Sequence, residues 1–352
     1  MRHSTALDLL IPSGQPWATK YSLRPRVRPK FRFIDVFAGI GGFRLALQDV
    51  GGQCVLSIEK DRFARQTYLT NFGESPAEDI YDVDAGSVPD HEILTAGFPC
   101  QPYSSSGRGL GLRDPRGQTI FPLLEIISKK KPLAVILENV LGFTRSRHQH
   151  SREYVLSCLR NELDYFVPEP EILRAVDFGL PQKRRRVFVV AFRKDLGIHE
   201  FSYPCVTPEK HFFGHVRERT PPDASYYLSE RCVRGFRRCA KRHKSRGNGF
   251  RYAVIENDQL ANCLMVGGDG WTRNLVKEYY IPDLIENNER GMSGLRRMTP
   301  REWARIQGFP DFFQIPVSKA QAYKQFGNAV AVPVARAVGH VVVQRLNAAG
   351  SI

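Results

Sequence analysis

The chain has 352 residues, 42% of them hydrophobic and 25% charged, with a formal net charge of +15. That length holds a sizeable core in one large or two modest domains, and the composition is ordinary for a soluble globular protein. The positive excess attracts polyanions, nucleic acid first. No membrane helix of ~20 apolar residues and no signal-peptide core is expected. The seven cysteines are odd in number and form no CxxC pair or zinc spacing, so a reducing, cytoplasmic setting is expected and no metal.

Residues 1–30 are rich in Pro and basic residues and end in "RPRVRPKFRF". Arg24, Arg26, Arg28, Lys30 and Arg32 make an extended basic N-terminal arm, which either touches a phosphate backbone or is simply solvated. From residue 31 to 194 short apolar runs alternate with amphipathic ones. "FRFIDVF", "QCVLSIE", "EILTAG", "PLAVILE" and "RVFVVAF" are predicted strands. "GGFRLALQDV", "DRFARQTYLTNF", "IFPLLEIISKK" and "SREYVLSCLRNEL" are predicted helices. This alternation predicts an α/β fold, a doubly wound, mostly parallel sheet of Rossmann-like type. Residues 195–290 are basic, rich in Pro and Gly, and predicted to be an irregular small domain. Residues 291–352 turn helical again and are expected to return to the first domain.

"DVFAGIGGF" places Gly39, Gly41 and Gly42 between the first strand and its helix, where a missing Cβ lets backbone approach a ligand. The spacing is not the GxGxxG of a dinucleotide site. Glu59 ends the second strand, placed to accept from ribose hydroxyls, and Asp79 could accept from an adenine amino group. A nucleoside ligand without pyrophosphate, such as S-adenosylmethionine, needs those contacts and no phosphate cradle. Taken singly, each has a plainer explanation as an ordinary turn or a solvated acid.

Cys100, in "TAGFPCQPYSSSGRG", follows the third strand at the carboxyl edge where open α/β sheets place their chemistry. Pro99 stiffens its approach, and a thiolate is a strong carbon nucleophile once its pKa is lowered. Glu138 leaves a wholly apolar strand, which costs free energy unless the group is used or paired. In "LPQKRRRVFVV", strand alternation turns Arg184 and Arg186 to one side and Arg185 to the other. A thiol, an acid and arginines facing an adenosyl cofactor suit methyl transfer to carbon-5 of cytosine. Thiolate attack at carbon-6 and proton donation to N3 would activate carbon-5, and the stacked base would have to be flipped out.

These motifs resemble the DNA (cytosine-5) methyltransferase family from Phe33 to about Pro333, with a gap in the basic insert. "DVFAGIGGF" resembles its cofactor loop, "GFPCQPYS" its nucleophile motif, "ENV" its base-protonating motif and "QKRRR" its QxRxR motif. "RRMTPREWARIQGFP" is similar to the segment bracing the recognition domain, and "QAYKQFGNAVAVPV" to the last motif, beside the cofactor loop. The resemblance implies Cys100 as nucleophile, Glu138 as N3 proton donor, Arg186 supporting the base, and Arg184 positioning Glu138 and the cysteine. It implies Phe37, Ala38, Gly39, Gly41, Glu59, Asp79, Ile80 and Asn328 around S-adenosylmethionine, and Gln101, Ser106 and Arg116 on double-stranded DNA. Residues 195–290 would be the target recognition domain, with "LMVGGDGWTRNLV" as its Gly-rich loop. A monomer paired with a restriction endonuclease is expected. Leu141, Gln118, Pro122 and Lys60 depart from the family pattern, Lys60 where an aromatic often stacks on adenine. Alternatives from other classes are a tRNA methyltransferase, a catalytically silent DNA-binding module and a nicotinamide oxidoreductase.

Overall fold

The computed structural model describes residues 29–99, 117–206, 209–220, 222–247, 252–266, 270–278 and 292–352. Cys100, Gln101, Ser106, Arg116, nearly all of the N-terminal arm and the glycines of "VGGD" lie outside them.

The first strand, β1 (Phe31–Val36), runs into α1 (Gly42–Asp49) and then β2 (Gly52–Ile58). Next, α2 (Arg62–Phe72) starts where the Asp61 carboxylate accepts from the backbone N–H of Phe63 and Ala64, and stops at Gly73 in the left-handed region. The fully buried β3 (Ile93–Ala96) and β4 (Ala134–Val140), buried but for Val140, flank α3 (Ile120–Lys130), and α4 (Gln149–Ser157) follows. Then come β5 (Tyr165–Phe166), β6 (Glu171–Arg174) and β7 (Arg185–Arg193). The sheet order is β2-β1-β3-β4-β7-β5, with β6 also on β7. β2, β1, β3 and β4 pair in parallel, whereas β7 is antiparallel to β4, β5 and β6. The sheet is therefore Rossmann-like with an antiparallel margin. That margin brings the start of β7, with its arginines, level with the end of β4, so that Val140 stands opposite Arg186.

Both faces of the sheet are covered. Phe188, Val190 and Phe192 of β7 enter one apolar core, and Val187, Val189 and Ala191 the other, as period-2 alternation requires.

The predicted irregular insert is more regular than expected. It contains α5 (Phe213–Val216), β8 (Tyr227–Ser229), α6 (Glu230–Ser245), β9 (Val254–Ile255) and β10 (Leu275–Lys277). A further strand, β11 (Met292–Arg297), completes a second sheet ordered β8-β11-β10-β9. Charge concealed α6, whose apolar residues are few.

The chain then returns through α7 (Pro300–Ile306), α8 (Lys319–Asn328) and α9 (Val332–Ala348). Against the expectation from sequence, Lys319–Ala348 is long and apolar enough on composition to cross a membrane. The stretch is broken between α8 and α9, and 72% of its most apolar window is buried in the fold. Its apolar character is that of core helices. α9 packs on α1, where a Cβ on Gly339 would stand 2.5 Å from Leu47.

A buried ion network joins the small sheet to α7. Arg296 and Glu302, both wholly buried, form two hydrogen bonds of 2.8 Å. Arg296 Nε also donates to Glu278 at 2.5 Å, and Glu278 accepts from Arg217. Glu302 closes the capping box of α7 with Thr299. Removing one partner of a buried pair strands the other charge, at a cost of about 3–5 kcal/mol. Glu302→Ala is expected to lose that much stability in urea unfolding, and a loss below about 1 kcal/mol would mean the pair does not hold the two parts together.

Candidate active site

A cavity of ≈ 740 Å³ opens along the carboxyl edge of the main sheet, within the ~300–1,000 Å³ typical of ligand sites. One end is built by the turn after β1. Phe37 (φ 59°) and Gly39 (φ 56°) both adopt the left-handed conformation there. Gly41 (φ 85°) does so too, and a Cβ on it would lie 2.3 Å from the Phe72 ring, so only glycine fits. Glu59 supports this turn. Its Oε2 accepts from Gly39 N at 2.8 Å and its Oε1 from Asp61 N at 2.7 Å. A carboxylate has about four acceptor sites, so capacity remains on the cavity side. Burial raises the Glu59 pKa against the pull of those two N–H groups.

Asp79 caps the short turn Ile80–Asp82 and pairs with Lys60. Partial burial would raise its pKa, but the Lys60 ammonium wins and holds it low. Lys60 thus stands on the rim where an aromatic is usual in the resembled family. Ala38, Ile80 and, from the end of α8, Asn328 also line the cavity. The sequence therefore brings Phe37, Ala38, Gly39, Glu59, Asp79, Ile80 and Asn328 to one wall, with Gly41 directly behind it. These groups suit a nucleoside with free ribose hydroxyls and no phosphates, which fits S-adenosylmethionine.

At the other end stand Gly97, Phe98 and Pro99, the last described residues before Cys100, together with Glu138 and Arg186. Glu138 Oε1 lies 3.0 Å from Arg186 Nε. Desolvation pushes the Glu138 carboxyl upward, opposed by the guanidinium groups of Arg186 and Arg184. Arg184, only 1% exposed, donates to the carbonyls of Gly327 and Ala329 at 3.1 and 2.6 Å. Arg185 points to solvent, as the alternation predicts.

Three features escaped sequence reasoning. Asn139 donates to Phe98 O at 3.3 Å, steadying the chain that leads to Cys100; its place inside "ENV" was the available signal. Cys263, from the small domain, comes within 4.0 Å of Arg186 Nη1. Burial would raise its thiol pKa, but Arg184 and Arg186 lower it. Nothing in the sequence pointed to a contact across 77 positions. Under the glycine turn lies a buried polar cluster. Asp35 accepts from Thr95 at 3.0 Å. Arg44 donates to Gln48 at 2.6 Å, Glu74 at 2.8 Å and Tyr68 at 3.1 Å.

The family model described as C-5 cytosine-specific DNA methylase matches residues 31–344. The chain belongs to this family. It is 45% identical over 340 residues to the Type II methyltransferase M.HpaII of Haemophilus parainfluenzae, covering 94% of this chain and 95% of that protein. It is 38% identical over 324 residues to M.DsaV of Dactylococcopsis salina, covering 91% and 88%. Among solved structures it resembles the Entamoeba histolytica methyltransferase EhMeth, with a TM-score of 0.69 at 19% identity over 90% of this chain and 98% of that one. This C-5 cytosine-specific DNA methylase, of the bacterial restriction-modification type, uses S-adenosylmethionine to methylate carbon-5 of cytosine in DNA. The oxidoreductase and silent-module alternatives fall away.

Desolvation pushes the buried Asp35 up to about 7, against the pull of Thr95 and Arg44. An unfolded aspartate titrates near ~3.9. Asp35 therefore favours the methylase fold fully below about pH 4, and that advantage is lost as the pH rises to about 7. Asp35→Asn cannot ionise, so thermal melts are expected to show it losing less stability than wild type from pH 4 to pH 7.5. Parallel profiles would exclude Asp35 as the titrating group.

Proposed function

We propose that methyl transfer proceeds through a bond between the Cys100 sulfur and carbon-6 of a cytosine flipped out of duplex DNA. The observation that carries this reading is the two-ended cavity. Glu138 and Arg186 lie paired at one end, which Gly97, Phe98 and Pro99 also line, and Glu59 and the glycine turn form the other.

Cys100 attacks as a thiolate, forming the C6–S bond while Glu138 delivers its proton to ring N3. Carbon-5 becomes enamine-like. S-adenosylmethionine, when bound, supplies a methyl group on a sulfonium centre that such a carbon can take. Loss of the carbon-5 proton to a base then drives the C6–S electrons out, and the thiolate and the Glu138 proton are recovered. The desolvation that raises the Glu138 pKa favours its protonated, donating form. Arg186 holds that carboxyl and the base, and Arg184, anchored to the C-terminal return, positions Glu138 and the cysteine. Glu59 takes the ribose, Asp79 and Ile80 the adenine, and Phe37, Ala38, Gly39, Gly41 and Asn328 complete the pocket.

Gln101 and Ser106 are assigned to the space left by the flipped base, and Arg116 to contact with DNA. We assign residues 31–194 and 291–352 to the catalytic domain, 195–290 to target recognition and 1–30 to a basic arm. A cytoplasmic monomer working beside a restriction endonuclease completes the proposal, and the long cationic insert favours duplex DNA over tRNA.

Cys100→Ser is expected to abolish methyl transfer while leaving the S-adenosylmethionine Kd within about twofold of wild type. Bisulfite sequencing of DNA from expressing cells reads the first, and calorimetry the second. Undiminished methylation would end the nucleophile assignment. Glu59→Ala removes a charged hydrogen-bond acceptor, worth about 1.5–3 kcal/mol. Its cofactor Kd should rise roughly 10- to 150-fold (a factor of ten per ~1.4 kcal/mol), and an unchanged Kd would remove Glu59 from the ribose.

A further inference from the structure

The strongest charged feature outside the cavity is α6. Its 16 residues carry seven Lys or Arg and one acid. Ser229 caps its start, and Arg242 and Lys244 occupy its last turn, complementing the helix dipole. The helix is held by a narrow apolar edge. Val233 is buried, and Cys232 and Phe236 pack with Leu228, Leu275, Tyr252 and Leu295. Opposite that edge, at 100° per residue, Arg231, Arg234, Arg238, Lys241 and Arg242 fall within an arc of about 100°. All five are exposed. Among the described residues none of them pairs with a carboxylate, and Arg242 meets only the Cys239 sulfur at 3.8 Å.

The position of α6 separates it from the cleft. Leu275 and Leu295 face α6, whereas Val276 and Ile255 of the same small sheet join the main core. So α6 covers the outer face of that sheet. A cationic stripe on a helix whose one acid, Glu230, stands at its first residue fits an extended polyanion. From Arg231 to Arg242 it runs about 16 Å at ~1.5 Å per residue, the length of about five base pairs at ~3.4 Å each.

We propose that α6 is a sequence-independent phosphate grip, engaging the backbone of duplex DNA beyond the bases that the enzyme reads. The proposal rests on DNA being the substrate, and it sorts the basic residues of the insert. Those on the outer face of α6 contribute affinity and salt dependence, while base reading falls to residues elsewhere. Long cationic side chains on a helix with no fixing partner suit phosphates, which accept contacts at many registers.

The test compares wild type with Arg234→Gln/Arg238→Gln/Lys241→Gln on a 40-base-pair duplex of mixed sequence, by fluorescence anisotropy between 50 and 200 mM salt. Each lost phosphate contact should reduce the slope of log affinity against log salt by about 0.9, so a fall of about 2–3 is expected. A charge-conserving variant, Arg234→Lys/Arg238→Lys, should keep the wild-type slope. Bisulfite sequencing should return the same set of methylated sites for wild type and the Gln variant. An unchanged slope would overturn the proposal and leave the face to a protein partner. A changed set of sites, or a Lys variant as impaired as the Gln variant, would overturn it in favour of base reading. Absence of methylation by the wild type would instead strike the reaction, which the slope measurement does not need.

Discussion

Arg184 ties the molecule together. Its guanidinium donates to Gly327 and Ala329, carbonyls at the end of α8 that no further helical turn can satisfy. The last carbonyls of a helix also carry its negative pole, which favours a cation there. One residue at the start of β7 thereby draws the C-terminal segment onto the edge of a sheet built from the first half of the chain. Gln307 reinforces the junction by donating to Phe326 and Ala329, and Gln182 by donating to Ile306 and Gln307. The wall formed by Lys324, Gln325 and residues 327–330 stands where it does because of these bonds. Without the return, the glycine turn and Glu59 would face open solvent.

The two ends of the cavity are electrostatically unlike, and each suits its proposed task. Around Glu59 the charge is screened by backbone N–H groups and the remote Lys324, so the carboxylate keeps acceptor capacity for hydroxyls. Around Glu138 burial is fuller and two arginines oppose it. A carboxyl under both influences is poised between holding and releasing a proton, as a general acid in a reversible adduct must be. Cys263 shares the same arginines, so the small domain contributes to the electrostatics of that end of the cavity.

Much of this was legible in the sequence. The strands after Phe31 announced themselves by apolar runs, and the glycines, Glu59 and Glu138 by their place at strand ends. What failed did so for physical reasons. The antiparallel direction of β7 is set by its partners, and no local pattern encodes it. α6 hid because Cys232, Val233, Phe236, Cys239 and Ala240 are scattered among many charges. The membrane-like hydropathy of 319–348 reflects two core helices, α9 packed on α1 and α8 on α7, a fact of packing. The contacts of Arg184 with Gly327 and of Arg186 with Cys263 span long stretches of chain, and no spacing rule reaches that far.

The same division explains how the small domain is mounted. The apolar contacts of Val276 and Ile255 with the main core would alone tolerate rotation, because such contacts are non-directional and re-form after small shifts. Arg296 and Glu302 instead meet through two parallel hydrogen bonds in a buried site, with Glu278, Arg217 and Thr299 completing the geometry. Such a fork loses its bonds on modest reorientation and then leaves charge uncompensated. A small domain with the proposed base-reading role must be held in a fixed register to the pocket proposed to receive the flipped base. The directional network supplies that register at the root of the small sheet, while the exposed cations of α6, on its far face, are the proposed contact with DNA.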